Sequence, residues 1–235
     1  MSDSTAAASS SPELAELVAQ IGTVSEKKQL QATQQIADLG DPGIDALMEV
    51  LVQQVALPIV AGKAYQLLWE RARGRAFLAD KFPQGIVPLS SECGIDYFPL
   101  QQALVKREFQ EADLLTIRNL CAAVGPATVA RKWLYFTEVT GLPVADLRTI
   151  DTLWRVHSEG KFGFSVQRRL WLAGGKNYEG LWMKIGWKSG NRWTRYPGEF
   201  DWTMAAPVGH LPLSNQLRGV RSFASLLAHP AWQEN

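Results

Sequence analysis

From Gly186 to Pro212 the helical period that organises most of the chain is lost, yet this segment is not polar. It carries Trp187, Trp193, Tyr196, Phe200 and Trp202 among glycines and prolines. Irregular segments longer than about 12–15 residues in a compact domain are usually functional or disordered. Disorder is disfavoured here, because large rings have area to bury. The fold must therefore hold a long, ordered, irregular segment against a core. Charge gathers in the same region. Residues 160–221 contain ten Lys plus Arg against three Asp plus Glu, about +7 on a chain whose formal total is +1. Aromatics interleaved with arginines suit a broad, flat, anionic guest, since arginine forks around carboxylates or phosphates and also stacks on rings.

Elsewhere the pattern is helical. Ser11 and Pro12 open a helix with Leu14, Leu17, Val18 and Ile21 on one face, and Gly22 ends it. A second helix fits Ser25 to Leu39. Asp41 is placed to cap a third, with Pro42 in its first turn and an apolar stripe from Ile44 to Val55. Pro58 opens a further helix toward Ala79. Short Gly/Pro turns between these helices resemble a HEAT-type antiparallel array. Phe82-Pro83-Gln84-Gly85 is the best domain boundary. The predicted organisation is a disordered tail over residues 1–11, an N-terminal antiparallel helical bundle over 12–82, and a core domain over 86–235. Residues 1–85 are net acidic, with seven Lys plus Arg against ten Asp plus Glu, which fits a scaffold or docking surface. Beyond the boundary, helices are predicted from Pro99 to Leu104, Phe109 to Leu120, Thr128 to Val139, Thr149 to His157, Val166 to Leu172 with Ser165 as cap, and briefly from Asn177 to Met183.

Several functional classes are excluded. No apolar run approaches the roughly 18–20 residues of a membrane span, and the first eleven residues lack the Lys, Arg and apolar segment of a targeting signal. Cys93 and Cys121 have no metal-type spacing, and a chain with two thiols fits a reducing compartment, so a soluble cytoplasmic protein is expected. His157, His210 and His229 lie far apart, with no metal or catalytic spacing. Gly175-Lys176 and Gly62-Lys63 lack the other residues of a phosphate-binding loop.

The sharpest local signal is a helix from Ser214 to Leu227, on which Asn215, Arg218, Arg221 and Ser222 share a face while Leu217, Val220, Ala224 and Leu227 point inward. Two arginines one turn apart can hold a carboxylate or phosphate. The plain alternative is a solvated face. Trp154, Trp171 and Trp182 on predicted helices read as core, whereas Trp187, Trp193, Tyr196 and Phe200 divide evenly between core and ligand or lid roles.

Gly163-Phe164-Ser165-Val166-Gln167-Arg168-Arg169-Leu170-Trp171, Lys184-Ile185-Gly186-Trp187-Lys188, and Gly209-His210-Leu211-Pro212-Leu213 followed by Asn215-Gln216-Leu217-Arg218-Gly219-Val220-Arg221 resemble the core of the Genomes-Uncoupled tetrapyrrole-binding proteins, regulators of magnesium chelatase in oxygenic phototrophs. Gly94-Ile95-Asp96-Tyr97 and Trp133-Leu134-Tyr135-Phe136-Thr137-Glu138-Val139 resemble the same family, and the added N-terminal bundle is similar to its cyanobacterial members. The resemblance implies an all-α protein whose core is a cupped hand with a long aromatic loop. It implies binding of protoporphyrin IX and magnesium protoporphyrin IX, with no catalytic activity, resident metal or required cofactor. It also implies stimulation of the chelatase through its large porphyrin-binding subunit, in chlorophyll biosynthesis, by a monomer that is cytoplasmic or peripheral to membranes.

The ligand-binding set it implies is Phe136, Val139, Trp187, Trp193, Tyr196, Phe200, Leu213, Asn215, Arg218 and Arg221. Tyr196 stands where relatives carry Trp. A porphyrin is an apolar disc with two propionates on one edge, so it needs an apolar floor and cations at the rim. Magnesium in the ring has four nitrogen ligands and an axial water can complete it, so clustered histidines are not required. Two rivals remain from the residues alone: a single-stranded nucleic-acid-binding module using aromatic stacking and basic residues, and an enzyme acting on a porphyrin. The acidic N-terminal half and near-zero total charge weigh against nucleic acid.

Overall fold

The computed structural model describes residues 12–213 and 220–233. It divides into two compact units, residues 1–83 and residues 84–235. Among the described residues the fold is all-α apart from one two-stranded hairpin.

The first unit contains α1 (Pro12–Gln20), α2 (Glu26–Asp38), α3 (Asp41–Gln53), α4 (Pro58–Trp69) and α5 (Ala72–Lys81). Its core is aliphatic, with Ile36, Leu47, Val60, Ala64 and Leu68 inaccessible to solvent. The buried Gln29 closes the α1–α2 turn. Its side-chain amide donates to the Val24 carbonyl (2.7 Å) and its Oε1 accepts the Gly22 N–H (3.0 Å). Gly40 rather than Asp41 caps α3, with a φ of 77° that favours glycine, and Asp41 and Pro42 fall in the first turn. The expected single helix from Pro58 to Ala79 is two helices. Arg71 is extended between them, and a Cβ on Gly74 would lie 2.1 Å from the Leu68 carbonyl oxygen, so α5 turns back tightly on α4. Arg75 Nη1 donates to the Trp69 carbonyl (2.9 Å), satisfying a group that the end of α4 leaves open.

The second unit contains α6 (Phe98–Val105), α7 (Phe109–Val124), α8 (Pro126–Arg131), α9 (Phe136–Val139), α10 (Val144–Val156), α11 (Phe164–Ala173), α12 (Tyr178–Lys184), β1 (Lys188–Ser189), β2 (Arg192–Trp193) and α13 (Val220–Leu227). Trp154 of α10 lies near the middle of its core, stacked on Phe109 and edge-on to Phe162, with its indole N–H donating to Thr116 Oγ1 (2.9 Å). Asp146 gathers the incoming segment by accepting from Ser91, from the Glu92 N–H and from the Tyr97 hydroxyl. The two strands are antiparallel, pairing Lys188 with Trp193 across a turn at Gly190 and Asn191.

Two further helical expectations are corrected. The stretch from Thr128 to Val139 breaks at Lys132, which adopts a left-handed conformation, and Trp133-Leu134-Tyr135 runs between α8 and α9. Alternation explains the break. Leu134 is fully buried, while Trp133 and Tyr135 both pack on the Arg131 guanidinium, 4.6 and 4.5 Å from their ring centroids. Ser165 does not cap α11. Gly163 holds the cap position with φ 134°, and Ser165 donates both its N–H (2.8 Å) and its hydroxyl (2.6 Å) to Asp151 of α10.

Candidate functional site

The segment from Gly186 to Leu213 is irregular but closely tied. Its return arm lies along the start of α11: Gln167 donates to the carbonyls of Gly209 (3.0 Å) and Pro212 (2.8 Å), and Gly163 N–H donates to Leu211 (3.0 Å). The Trp187 indole donates to the His210 carbonyl (2.8 Å). His210 donates from Nδ1 to Ile185 (2.6 Å) and accepts the Asp201 N–H at Nε2 (3.3 Å), so this imidazole is a structural brace in its neutral form. Burial first of all lowers its pKa. The Leu213 N–H reaches Asp113 of α7 at 2.6 Å. These bonds replace the backbone ladder that the segment lacks.

Within this frame the predicted aromatics divide. Trp187 and Phe200 are buried: the first packs on Phe223, the second on His210 at 5.4 Å. Trp193 is 49% exposed and Tyr196 is 38% exposed, each resting on another ring rather than covered. Trp193 lies 4.8 Å from Trp182, and Tyr196 sets an edge against Trp202 at 6.0 Å. Burial, then Asp113 and Glu111, raise the Tyr196 hydroxyl pKa, so the loop tip sits close to the beginning of α7.

The cations divide as well. Lys188 pairs with Glu179 and Arg192 with Glu199, so both are neutralised within the hairpin region. Arg168 donates to the Leu227 carbonyl (3.0 Å), closing the C-terminal end of α13. Arg221 of α13 lies over the Phe136 ring, its guanidinium carbon 5.8 Å from the ring centroid. Phe136 is 41% exposed, whereas Val139 and Leu213 are buried. Glu138 fixes the short α9 by accepting both the Tyr135 N–H (2.7 Å) and Arg131. On α13, Ser222 donates to the Leu134 carbonyl (3.4 Å) while Phe223 packs on Tyr178 and Trp187, so this helix joins the α9 region to the loop. Asn215 and Arg218 lie outside the described residues.

One feature escaped the sequence reading. A cavity of about 560 Å³ lies between α7 and α8, lined by Leu114, Ile117, Cys121, Ala122 and Val129 with Arg118 and Lys132 beside them. No carboxylate contributes to it among the described residues. Its size falls within the roughly 300–1,000 Å³ of small-molecule sites. Burial pushes the Cys121 thiol up to about 11, so it lines the cavity as a neutral, weakly polar group. The signal was present in α7. Leu114, Ile117 and Cys121 form a second helical stripe beside the core stripe of Phe109, Ala112, Thr116 and Leu120, and a helix apolar on two faces has more to cover than one core supplies. Leu114 also borders a shallower depression containing Trp202, which links the cavity to the aromatic loop. No cluster of three or more His, Cys, Asp or Glu suited to a metal occurs among the described residues.

Comparison with known proteins gives matches over both regions of the chain. Residues 90–230 fit the GUN4-like family model, and residues 5–83 fit an ARM-like repeat domain, GUN4-N terminal. A Ycf53-like protein of Synechocystis is 51% identical, with 95% of this chain and 98% of that protein covered. The chloroplastic tetrapyrrole-binding protein of Arabidopsis thaliana is 38% identical over 57% of this chain and 54% of its own length. Among solved structures, GUN4 from Chlamydomonas reinhardtii superposes with a TM-score of 0.59 at 41% identity, over 63% of this chain and 96% of that one. The ligand-free GUN4 of Arabidopsis thaliana gives 0.55 at 37% identity, over 62% and 99%. With its core and N-terminal regions both matched, this chain belongs to the GUN4-like family.

Proposed function

We propose that this protein binds protoporphyrin IX and magnesium protoporphyrin IX and stimulates magnesium chelatase through its large porphyrin-binding subunit, as a regulator of chlorophyll synthesis rather than an enzyme. The observation that carries the binding reading is the largely apolar, carboxylate-free cavity on α7 and α8, which shares Leu114 with a depression bordered by Trp202 of the loop and by Glu108 and Glu111. The Arabidopsis relative, described as tetrapyrrole-binding, supports the ligand class.

In this reading the macrocycle rests on the aliphatic wall of α7 and α8. Trp193 and Tyr196 are the exposed rings that meet its other face, with Phe200 beside Tyr196 and Trp187 buried in the frame of the loop. Arg221 faces a propionate across the Phe136 edge, joined by Asn215 and Arg218 from the preceding segment. Phe136, Val139 and Leu213, which lie outside the lining of the cavity itself, are assigned to the same site. Magnesium enters and leaves as part of the ligand. No helix among the described residues is long and apolar enough to cross a membrane, and we place the protein in the cytoplasm as a monomer able to associate peripherally with membranes. The pairing of Lys188 and Arg192 with carboxylates disfavours nucleic acid, because phosphate tracking needs unpaired cations.

Titration of the purified full chain with protoporphyrin IX, magnesium protoporphyrin IX and a single-stranded oligonucleotide tests the reading. The expected result is a Soret shift and tryptophan quenching with both porphyrins, no oligonucleotide binding and no new product. Chelatase turnover with and without the protein then tests stimulation.

A further inference from the structure

Asp113 is the most unusual buried group outside the set just described. It lies on α7 with 1% of its surface exposed, and its Oδ1 accepts the Leu213 N–H across a hundred positions of sequence at 2.6 Å. Its Oδ2 has no hydrogen-bond partner among the described residues. The groups around it offer its charge little support. The Tyr196 hydroxyl from the loop is an acidic neighbour that also feels Glu111, two residues back on the same helix. The α6 segment carries no charged residue. The charged groups of α10 are engaged elsewhere: Asp146 with Ser91 and Tyr97, Arg148 with the carbonyls of Ala231 and Gln233, and Asp151 with Ser165 and beside Arg155. Arg131 of α8 is paired with Glu138. Arg218 lies outside the described residues.

We propose that Asp113 is a positioning residue for the porphyrin site, holding the end of the aromatic loop against α7 through the Leu213 N–H and holding it more firmly when its carboxyl is protonated. The proposal rests on the porphyrin reading above for its consequence, but not for its geometry. Among the described residues this buried carboxylate is one bond short and has no cation, so it carries its charge at a cost and the docked loop end favours the neutral carboxyl. Burial pushes this group up to about 7, against the lowering effect of the Leu213 N–H. Once Leu213 moves away, water reaches the carboxyl and it titrates in the ordinary range. Docking is therefore coupled to uptake of one proton. It weakens as pH rises from the undocked to the docked pKa, by at most tenfold per unit, and levels off above about pH 7.

The test compares wild type with Asp113→Asn, which keeps an acceptor for Leu213 but cannot titrate, and with Asp113→Ala, which removes the acceptor. Protoporphyrin IX affinity is measured on the full chain between pH 6 and pH 8, together with hydrogen-exchange protection of the Leu213 amide. The wild type should weaken by up to about tenfold over that range and lose Leu213 protection in parallel. Asp113→Asn should be flat in both, and Asp113→Ala should bind more weakly at either pH. A wild type without slope, or Asp113→Asn with the same slope, overturns the proposal. If Asp113→Ala fails to fold, the Asn comparison still decides. If no variant binds porphyrin, the porphyrin reading has failed, and the Leu213 protection profile alone confirms or overturns the proton-dependent tie.

Discussion

The guanidinium of Arg221 lies 5.8 Å from the centre of the Phe136 ring, joining α13 to the exposed face of α9. An arginine held over a half-exposed ring is pre-oriented, so less side-chain freedom is lost when an anion arrives.

Arg221→Ala is therefore expected to weaken protoporphyrin IX by about 1.5–3 kcal/mol, a tenfold to hundredfold loss typical of a charge-assisted hydrogen bond. The dimethyl ester, which lacks the charged propionates, should lose much less. Parallel fluorescence titrations of acid and ester read the difference. Equal losses would assign Arg221 a purely structural role.

Trp193 and Phe200 should behave differently despite lying seven residues apart in one loop. Trp193→Ala removes a half-exposed ring and is expected to raise the dissociation constant at least tenfold with an unchanged melting temperature. Phe200→Ala empties a buried position against His210, so it should also destabilise the second unit by about 3–5 kcal/mol, as large-to-small core changes do. Urea unfolding beside porphyrin titration separates the two effects. Weakened binding need not abolish chelatase stimulation at saturating porphyrin if the regulator also acts on the chelatase itself.

A chain beginning at residue 86 should bind protoporphyrin within about tenfold of the full chain, roughly 1.4 kcal/mol, because the cavity and every proposed contact lie beyond that point. Isothermal or fluorescence titration of the truncated protein measures this, and a larger loss would assign part of the site to the N-terminal helices.

Introducing a carboxylate into the cavity by Val129→Glu should reduce affinity by more than tenfold, since it sets a charge beside an apolar macrocycle. Val129 is half-exposed, so folding should be little affected. Circular dichroism and titration of the same sample check both halves of the expectation.

Much of this arrangement is legible in the sequence because its cause is local. The stripe from Ile44 to Leu51 becomes the buried face of α3, which ends at Gln53 and leaves Val52 and Val55 exposed, and the loss of period after Gly186 becomes the aromatic loop. What is not legible depends on partners distant in sequence. Nothing near Ser165 announces that its hydroxyl goes to Asp151 instead of capping its own helix. The helix expected through Thr128 to Val139 gives way to extended chain at Trp133 to Tyr135, because burial of Leu134 and stacking on Arg131 outweigh helical propensity. Trp187, whose sequence context fits core or ligand alike, takes a buried place because the His210 carbonyl offers its indole N–H a partner. The cavity needed α8 to be placed against α7 before its lining residues came together.

The ties made by Gln167 bear on the entropy of binding. Fixing one backbone residue costs roughly 1–2 kcal/mol, so a loop left free from Gly186 to Leu213 would impose tens of kcal/mol when a ligand ordered it. With Gly209 and Pro212 gripped by one buried amide and His210 gripped by Trp187, that ordering is completed during folding. At the tip, the backbone is held by the hairpin and Glu199, and the exposed Trp193 and Tyr196 rings are left to settle when the guest arrives.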